Sequence, residues 1–279
     1  MHRLMQRLNY GWRVLATGFC FTSFGMGGLA LSLFVFPLLF TLPKHQRTPL
    51  ARRMISRSFR FFLGLMVLVR IMDLDIEGEE RLNNLQWCLV LANHPTLIDV
   101  VVLISLLPTA SCVVKQALWD NPFLKGVVRA ANYISNSEPD KLLQDCAADL
   151  AQGYPLVIFP EGTRTPASAQ HSARSSLEVN GLHFLRGAAY IALQSGLPSL
   201  LIQPIVIQCT PPTLMCGLPW YQIPNRRFSL RIKVLEAASV QSLMRASPVE
   251  FASPALAARQ LTGDLEHFFT QQLTGFDSR

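Results

Sequence analysis

No aspartate or glutamate occurs in the first 72 residues, although ten of the chain's 25 Lys and Arg lie there: Arg3, Arg7, Arg13, Lys44, Arg47, Arg52, Arg53, Arg57, Arg60 and Arg70. From Asp73 onward 15 basic residues face all 18 acidic ones, so the formal net charge of +7 belongs to the N-terminal segment alone. An anionic bilayer surface fits a basic region so confined, and no nucleic-acid partner is expected. Charge is scarce overall, at 15% against 50% hydrophobic residues, which excludes a disordered chain. The six cysteines (Cys20, Cys88, Cys112, Cys146, Cys209, Cys216) show no C-x-x-C or Cys/His ligand spacing. That pattern predicts buried free thiols in a reducing compartment, with no disulfide framework and no metal site. There is no G-x-S-x-G elbow, no cysteine in a His-rich setting and no internal repeat, so a covalent hydrolase would lack its nucleophile.

What is present begins with a membrane signal. No charged residue occurs from Val14 through Pro43, and the 29 residues to Leu42 would as one helix span ~44 Å, against a hydrocarbon core of ~30 Å. A cleavable signal peptide has an apolar core of only ~7 to 15 residues. Gly25, Gly27 and Gly28 near the middle permit a bend, so a re-entrant hairpin and a tilted single span both remain open. Basic residues on both flanks fit the hairpin with its ends on the cytoplasmic side. Next, the stretch 51–72 mixes Phe59, Phe61, Phe62 and Leu63 with Arg52, Arg53, Arg57 and Arg60, which suits either the headgroup interface or packing on a domain. The expected organisation is a basic membrane anchor over residues 1–72 and an α/β domain over residues 73–279. The expected location is a membrane, with the domain on its cytoplasmic face, in a bacterial inner membrane.

From about Asp73, short runs rich in Val, Ile and Leu alternate with helix-like stretches, predicting an α/β domain whose mixed, largely parallel sheet is covered by helices. Strands are expected at Trp87 to Ala92, Cys112 to Lys115, Pro155 to Phe159, Leu200 to Gln208 and Phe228 to Leu235. Helices are expected at Pro95 to Leu107, Pro122 to Ala131, Pro139 to Gln152, His183 to Ser195 and Pro254 to Leu273. Pro95, Pro122 and Pro254 suit first helical positions, while Gly153 and Gly196 suit the residue past a helix end. Ser253 is a plausible cap for the last helix, which carries Leu256, Leu261, Leu265, Phe268, Phe269 and Leu273 on roughly one face.

Two segments carry chemistry. In Asn93-His94-Pro95-Thr96-Leu97-Ile98-Asp99, a strand end meets a helix start, and Asp99 in the second helical turn would reach back to the imidazole. A carboxylate on one ring nitrogen leaves the other free to take a proton from a hydroxyl, and free amides at the helix start could steady an oxyanion. The second segment, Phe159-Pro160-Glu161-Gly162-Thr163-Arg164-Thr165, places a Glu, an Arg and two hydroxyls on a loop at a strand's exit. Such a loop can bind a phosphate or polyol.

Together these segments resemble the lysophospholipid and glycerol-phosphate acyltransferase family, with its H-x4-D and F-P-E-G-T-R signatures, over roughly Trp87 to Gln208. Lys115, Pro122 and Gly126 fall as in the family's second block, and Pro204 in Ile202-Gln203-Pro204-Ile205-Val206 is similar to its last strand. The resemblance implies His94 as general base, Asp99 as its orienting partner, and Glu161, Gly162, Thr163, Arg164 and Lys115 in acceptor binding. It implies a fatty acyl group moved from acyl carrier protein or coenzyme A thioester to a lysophospholipid-like hydroxyl, with no further cofactor. The chain departs from the family at Asn136-Ser137, where an arginine often holds the acceptor phosphate, and in a long polar loop from Pro166 to Gly181. Arg186, in Phe184-Leu185-Arg186-Gly187, is the candidate replacement charge. The alternatives are an acyltransferase for a non-glycerolipid acceptor, a membrane hydrolase of lipid esters, and a non-catalytic lipid-binding protein.

Overall fold

Every residue of Cys88–Ala92 is buried, which a strand achieves when helices cover both of its faces. The computed structural model describes residues 2–121, 124–165, 182–197, 199–244 and 253–276. Its eight-stranded sheet is built from β1 (Met72–Glu77), β2 (Cys88–Ala92), β3 (Ser111–Val114), β4 (Ile134–Ser135), β5 (Leu156–Ile158), β6 (Leu201–Thr210), β7 (Phe228–Val234) and β8 (Ala238–Ser239). The order is β1-β7-β6-β2-β5-β3-β4, with β8 beside β6. The pairings from β6 through β4 and that of β1 with β7 are parallel, while β7 and β8 run antiparallel to β6. The sheet is therefore mixed and largely parallel.

The five expected strands are present within a residue or two of their bounds. The strand at 72–77 was not expected, although Met-Asp-Leu-Asp-Ile-Glu alternates residue by residue and so carries the period of a half-buried strand. β2 divides the core. Cys88, Val90 and Ala92 face one cluster and Leu89 and Leu91 the other, as the strand's two-residue period requires.

The first face is covered by α1 (His2–Ala30), α2 (Phe36–Leu39), α3 (Lys44–Leu68), α4 (Asp99–Leu106), a short α5 (Gln116–Asp120) and α6 (Lys125–Ala130). The second is covered by α7 (Pro139–Ala151), α8 (Gly187–Gln194), a short α9 (Val240–Leu243) and α10 (Pro254–Phe276). Gly153 and Gly196 take positive φ just past α7 and α8, and Ser253 accepts from Leu256 N at the start of α10. In α10, Leu256 points outward at 47% exposure, so it is not on the packed face. Pro122 and the 166–181 loop lie outside the described residues.

Two N-terminal points that the sequence leaves open are decided by the fold. The chain does not bend at Gly25 to Gly28, because α1 runs through them and continues by a π-helical turn, Leu31–Val35, into α2. Pro37 lacks an N–H and explains the wider turn that precedes it. The reversal comes at residues 40–43. α3 then returns antiparallel to α1, pairing Phe24 with Phe59, Phe21 with Phe62, and Trp12 Nε1 with the Val69 carbonyl. The basic stretch 51–72 also sends one face into the domain, burying Ala51, Arg52, Ile55, Ser56, Phe62, Leu63 and Met66. Its other face, with Phe61 and Leu68, is exposed.

Arg52 is the largest fully buried side chain. Its Nε donates to Ala131 O at 2.8 Å, Nη1 to Thr109 O at 3.1 Å and Nη2 to Asp149 Oδ2 at 2.9 Å, and its guanidinium lies over Tyr154. It thus ties α3 to the far edge of the sheet. Removing the carboxylate strands this charge in a dry interior, so Asp149→Ala is expected to destabilise the protein by about 3–5 kcal/mol. Denaturant unfolding in mild detergent measures it, and a change below about 1 kcal/mol would contradict a structural role.

Candidate active site

β2 ends at Ala92, and the next residue extends the sheet by its side chain. Asn93 Nδ2 donates to Ile207 O at 2.8 Å and Asn93 Oδ1 accepts from Ile207 N at 2.7 Å, so the chain stays pinned to β6 beyond the last backbone pair. His94 follows, at the carboxyl end of the central strand, where open α/β sheets place their sites.

The expected helix from Pro95 starts only at Asp99. Residues 95–98 form a turn instead, closed by Thr96 N and Thr96 Oγ1, which both donate to the Asp99 carboxylate, and by Leu97 N, which donates to Leu214 O at 3.0 Å. Asp99 therefore stands in the first helical turn, wholly buried, with Oδ2 2.9 Å from His94 Nδ1. The amides expected to be free at this helix start are partly engaged, since those of His94, Thr96 and Leu97 already have acceptors. The His94 ring stacks on Phe159 at 4.2 Å. Its side chain keeps 13% exposure, and Nε2 has no hydrogen-bond partner among the described residues. With Nδ1 facing a carboxylate, Nε2 is the nitrogen available to a substrate proton.

The second loop meets the first through its backbone. Glu161 Oε1 accepts from His94 N at 2.7 Å, Thr165 N donates to His94 O at 2.8 Å, and Thr165 Oγ1 donates to Glu161 Oε2 at 2.8 Å. Arg164 Nη1 donates to Leu214 O at 3.2 Å and Met215 O at 3.4 Å, the same carbonyl that receives Leu97. Glu161 and Arg164, expected to face an acceptor, thus make internal bonds that assemble the two loops. Gly162 takes φ +69, and a Cβ there would run into Leu185. Thr163 is exposed, as are Lys115 at the end of β3 and Arg186 at the start of α8. Neither cation bonds to the His94 group among the described residues.

Burial pushes the Asp99 carboxyl above the usual range, opposed by its bonds from His94 and Thr96. Burial also raises Glu161, opposed by His94 N and Thr165 and reinforced by the charge of Asp99. The thiols of Cys88, Cys112, Cys146 and Cys209 are pushed up to about 12 by burial, which leaves them inert as nucleophiles. Cys216 is only partly buried, contrary to expectation.

Asn93, Thr96, Thr165 and the Leu214-Met215 carbonyls were not singled out by sequence. Thr96 lies inside the first signature and Thr165 directly follows the second, but the carbonyls leave no residue-type signal at all. An apolar cavity of about 530 Å3 opens on the sheet's first face between α1, α3 and α4, with Val100 and Ile104 of α4 in its wall.

Residues 73–208 match a family model described as acyltransferase. A 1-acyl-sn-glycerol-3-phosphate acyltransferase of Helicobacter pylori is 33% identical over 125 residues, 43% of this chain and 47% of that one. The human 1-acyl-sn-glycerol-3-phosphate acyltransferase beta is 26% identical over 159 residues, 54% of this chain and 49% of that one. The chain thus spans about half the length of the curated relatives it matches. The solved 1-acyl-sn-glycerophosphate acyltransferase of Thermotoga maritima superposes with a TM-score of 0.65 at 18% identity, covering 98% of both chains. That likeness establishes a common fold.

The raised Glu161 pKa has a signed consequence. A carboxyl whose folded pKa exceeds its unfolded value of 4.5 contributes stability at low pH that is lost as pH rises through the folded pKa. Glu161→Gln keeps the acceptor for His94 N and does not titrate. Wild type is expected to lose thermal stability relative to Glu161→Gln over the window that opens as pH rises above 4.5, the unfolded value. Melting curves that run parallel across that window would contradict the burial effect.

Proposed function

Taking as premise that residues 73–208 are an acyltransferase-family domain, we propose that this protein transfers a fatty acyl group from a thioester, acyl carrier protein or coenzyme A, to the hydroxyl of a lysophospholipid-like acceptor at a membrane. The observation that carries this reading is the His94 imidazole, held on Asp99 by Nδ1 with Nε2 unpartnered among the described residues, at the mouth of a motif pair that fixes its backbone on both sides. His94 Nε2 takes the proton of the acceptor hydroxyl as its oxygen attacks the thioester carbonyl. The tetrahedral intermediate collapses, the carbon–sulfur bond breaks, and the proton passes from the imidazole to the departing thiolate. Asp99 holds the tautomer and offsets the transient imidazolium charge. The apolar cavity beside Asp99's helix has the lining to hold an acyl chain.

The same reading places the N-terminal helices on the bilayer. One helix among the described residues is long and apolar enough to cross a membrane, Leu8–Leu39, with mean hydropathy 1.8 and only 11% of its most apolar window buried. Yet this helical stretch meets the domain along much of its length, from Gly18 and Phe21 against Trp220 to Phe24, Leu29 and Phe36 in one cavity wall with Val100 and Ile104, so a perpendicular crossing would drag the domain into hydrocarbon. α1 lying along the cytoplasmic interface, its exposed side in lipid, keeps the domain's polar groups in water.

One observation favours a variant of this reading in which the acceptor lacks a phosphate. The end of β4, where the family often has an arginine, is a neutral network. Gln116 N donates to Asn136 Oδ1, and Ser135 Oγ bonds to Gln116 and Ser137. Mass spectrometry of lipids from cells with and without the protein separates the two acceptor classes.

General-base assistance is worth about 10² to 10⁴ in rate. His94→Ala is expected to lower acyl transfer from a thioester by at least about 10²-fold while leaving circular dichroism and thermal midpoint close to wild type. Undiminished turnover in the purified variant would end the assignment of His94 as base.

A further inference from the structure

The segment between β6 and β7, residues 211–227, reads Pro-Pro-Thr-Leu-Met-Cys-Gly-Leu-Pro-Trp-Tyr-Gln-Ile-Pro-Asn-Arg-Arg. It contains no acid, two adjacent aromatics at its middle and two arginines at its base. Its four prolines hold the backbone near one shape. Turn bonds from Leu218 N to Met215 O, Gln222 N to Pro219 O and Ile223 N to Tyr221 O close the tip. The tip lies against the apolar helix. The Trp220 ring sits 3.5 Å from the place a Gly18 Cβ would occupy and 6.2 Å from the Phe21 ring, with Tyr221 edge-on behind it.

Trp220 and Tyr221 nevertheless keep 45% and 56% exposure. A soluble surface has no reason to present two large aromatics side by side, without an acid in the segment, against a helix long and apolar enough to cross a membrane. Leu15 and Phe19, which flank Gly18 on α1, are 73% and 57% exposed, so the aromatic pair extends the apolar side of that helix. Rings with one polar edge match the chemistry of the membrane–water boundary, where Trp and Tyr sit at headgroup level, and the exposed Arg226 at the base of the segment adds a positive charge that suits lipid phosphate, while Arg227 beside it is paired with Asp73 at 2.6 Å.

We infer that the Trp220–Tyr221 tip inserts into the headgroup region of the bilayer, as a membrane contact contributed by the catalytic domain itself and separate from the N-terminal helices. This rests on the membrane reading above and adds a location to it. It also adds a link to the site. The same segment supplies the Leu214 and Met215 carbonyls that hold Leu97 and Arg164, so lipid contact at residues 220–221 braces both catalytic loops from one side.

The test uses the full chain with Trp12, Trp87 and Trp119 replaced by Phe, leaving Trp220 as sole reporter, and vesicles of phosphatidylglycerol and phosphatidylethanolamine. Trp220 emission is expected to shift to the blue on binding and to be quenched by lipids brominated near the headgroup end of the acyl chain. Trp220→Ser with Tyr221→Ser, in the otherwise natural chain, is expected to weaken vesicle binding about tenfold. A second reporter, Phe19→Trp in a chain with all four tryptophans otherwise replaced by Phe, separates the possible failures. Quenching of the reporter at 19 with none at 220 overturns this inference and leaves the membrane reading standing. Quenching at neither position overturns both. A blue shift that depends on protein concentration and occurs without vesicles assigns the tip to a second copy of the chain, which also overturns the inference.

Discussion

The peptide of His94 is held from both sides by a neighbouring loop, and the arrangement of the site depends on that hold. β2 and β5 are parallel and adjacent, and their ladder ends at Leu91 opposite Ile158. Beyond that point the exposed N–H and C=O of the departing chains have no ladder partner, and in a partly buried cleft an unpaired peptide group costs on the order of 1–3 kcal/mol. The loop after β5 supplies both partners, Glu161 for the N–H and Thr165 for the carbonyl. Asn93 does the same toward β6 on the opposite side. The imidazole is thus carried on a backbone fixed to both flanking strands, and its ring is free to use one nitrogen for Asp99 and leave the other open.

That arrangement explains which parts of the site could be read from sequence. A His and an Asp five residues apart at a strand exit predict their own contact, because the intervening turn is short, and the 2.9 Å separation follows. The helix starts at Asp99, four residues after Pro95. Pro95 suits a first helical position, but Thr96 and Asp99 satisfy each other locally and hold the chain in a turn for four more residues. Glu161 and Arg164 were legible as charged residues on a loop and illegible in their use. Each bonds to main-chain groups, His94 N in one case and Leu214 O and Met215 O in the other, and main-chain partners carry no residue-type signature. The segment after β6 was invisible for the same reason, since it contributes carbonyls.

The N-terminal region shows the complementary case. Composition revealed an apolar helix and a basic one, but not where each side of them faces. Gly25 and Gly28 suggested a bend because glycine tolerates one. In the structure they line the apolar cavity, where the lack of a side chain leaves room beside α4. The basic helix carries five arginines, and only Arg52 is fully buried, because Asp149 and the carbonyls of residues 109 and 131 converge on it at the far edge of the sheet. No helical period could distinguish that arginine from its neighbours.

Two carboxylates, Asp99 wholly buried and Glu161 partly so, stand beside one imidazole, and burial raises the pKa of both. Each is therefore an electrostatic cost in the resting protein that a nearby positive charge would reduce. In the proposed reaction the imidazole gains such a charge as it takes the acceptor's proton. Asp99 is in direct contact with the ring, and Glu161 is bonded to the same residue's backbone, so both anions act on the imidazolium from fixed positions without rearranging. The negative charge that develops on the substrate then lies on the ring's open side, away from both carboxylates. A carboxylate pair that weakens the folded state at rest is, by the same geometry, what stabilises the charge-separated step.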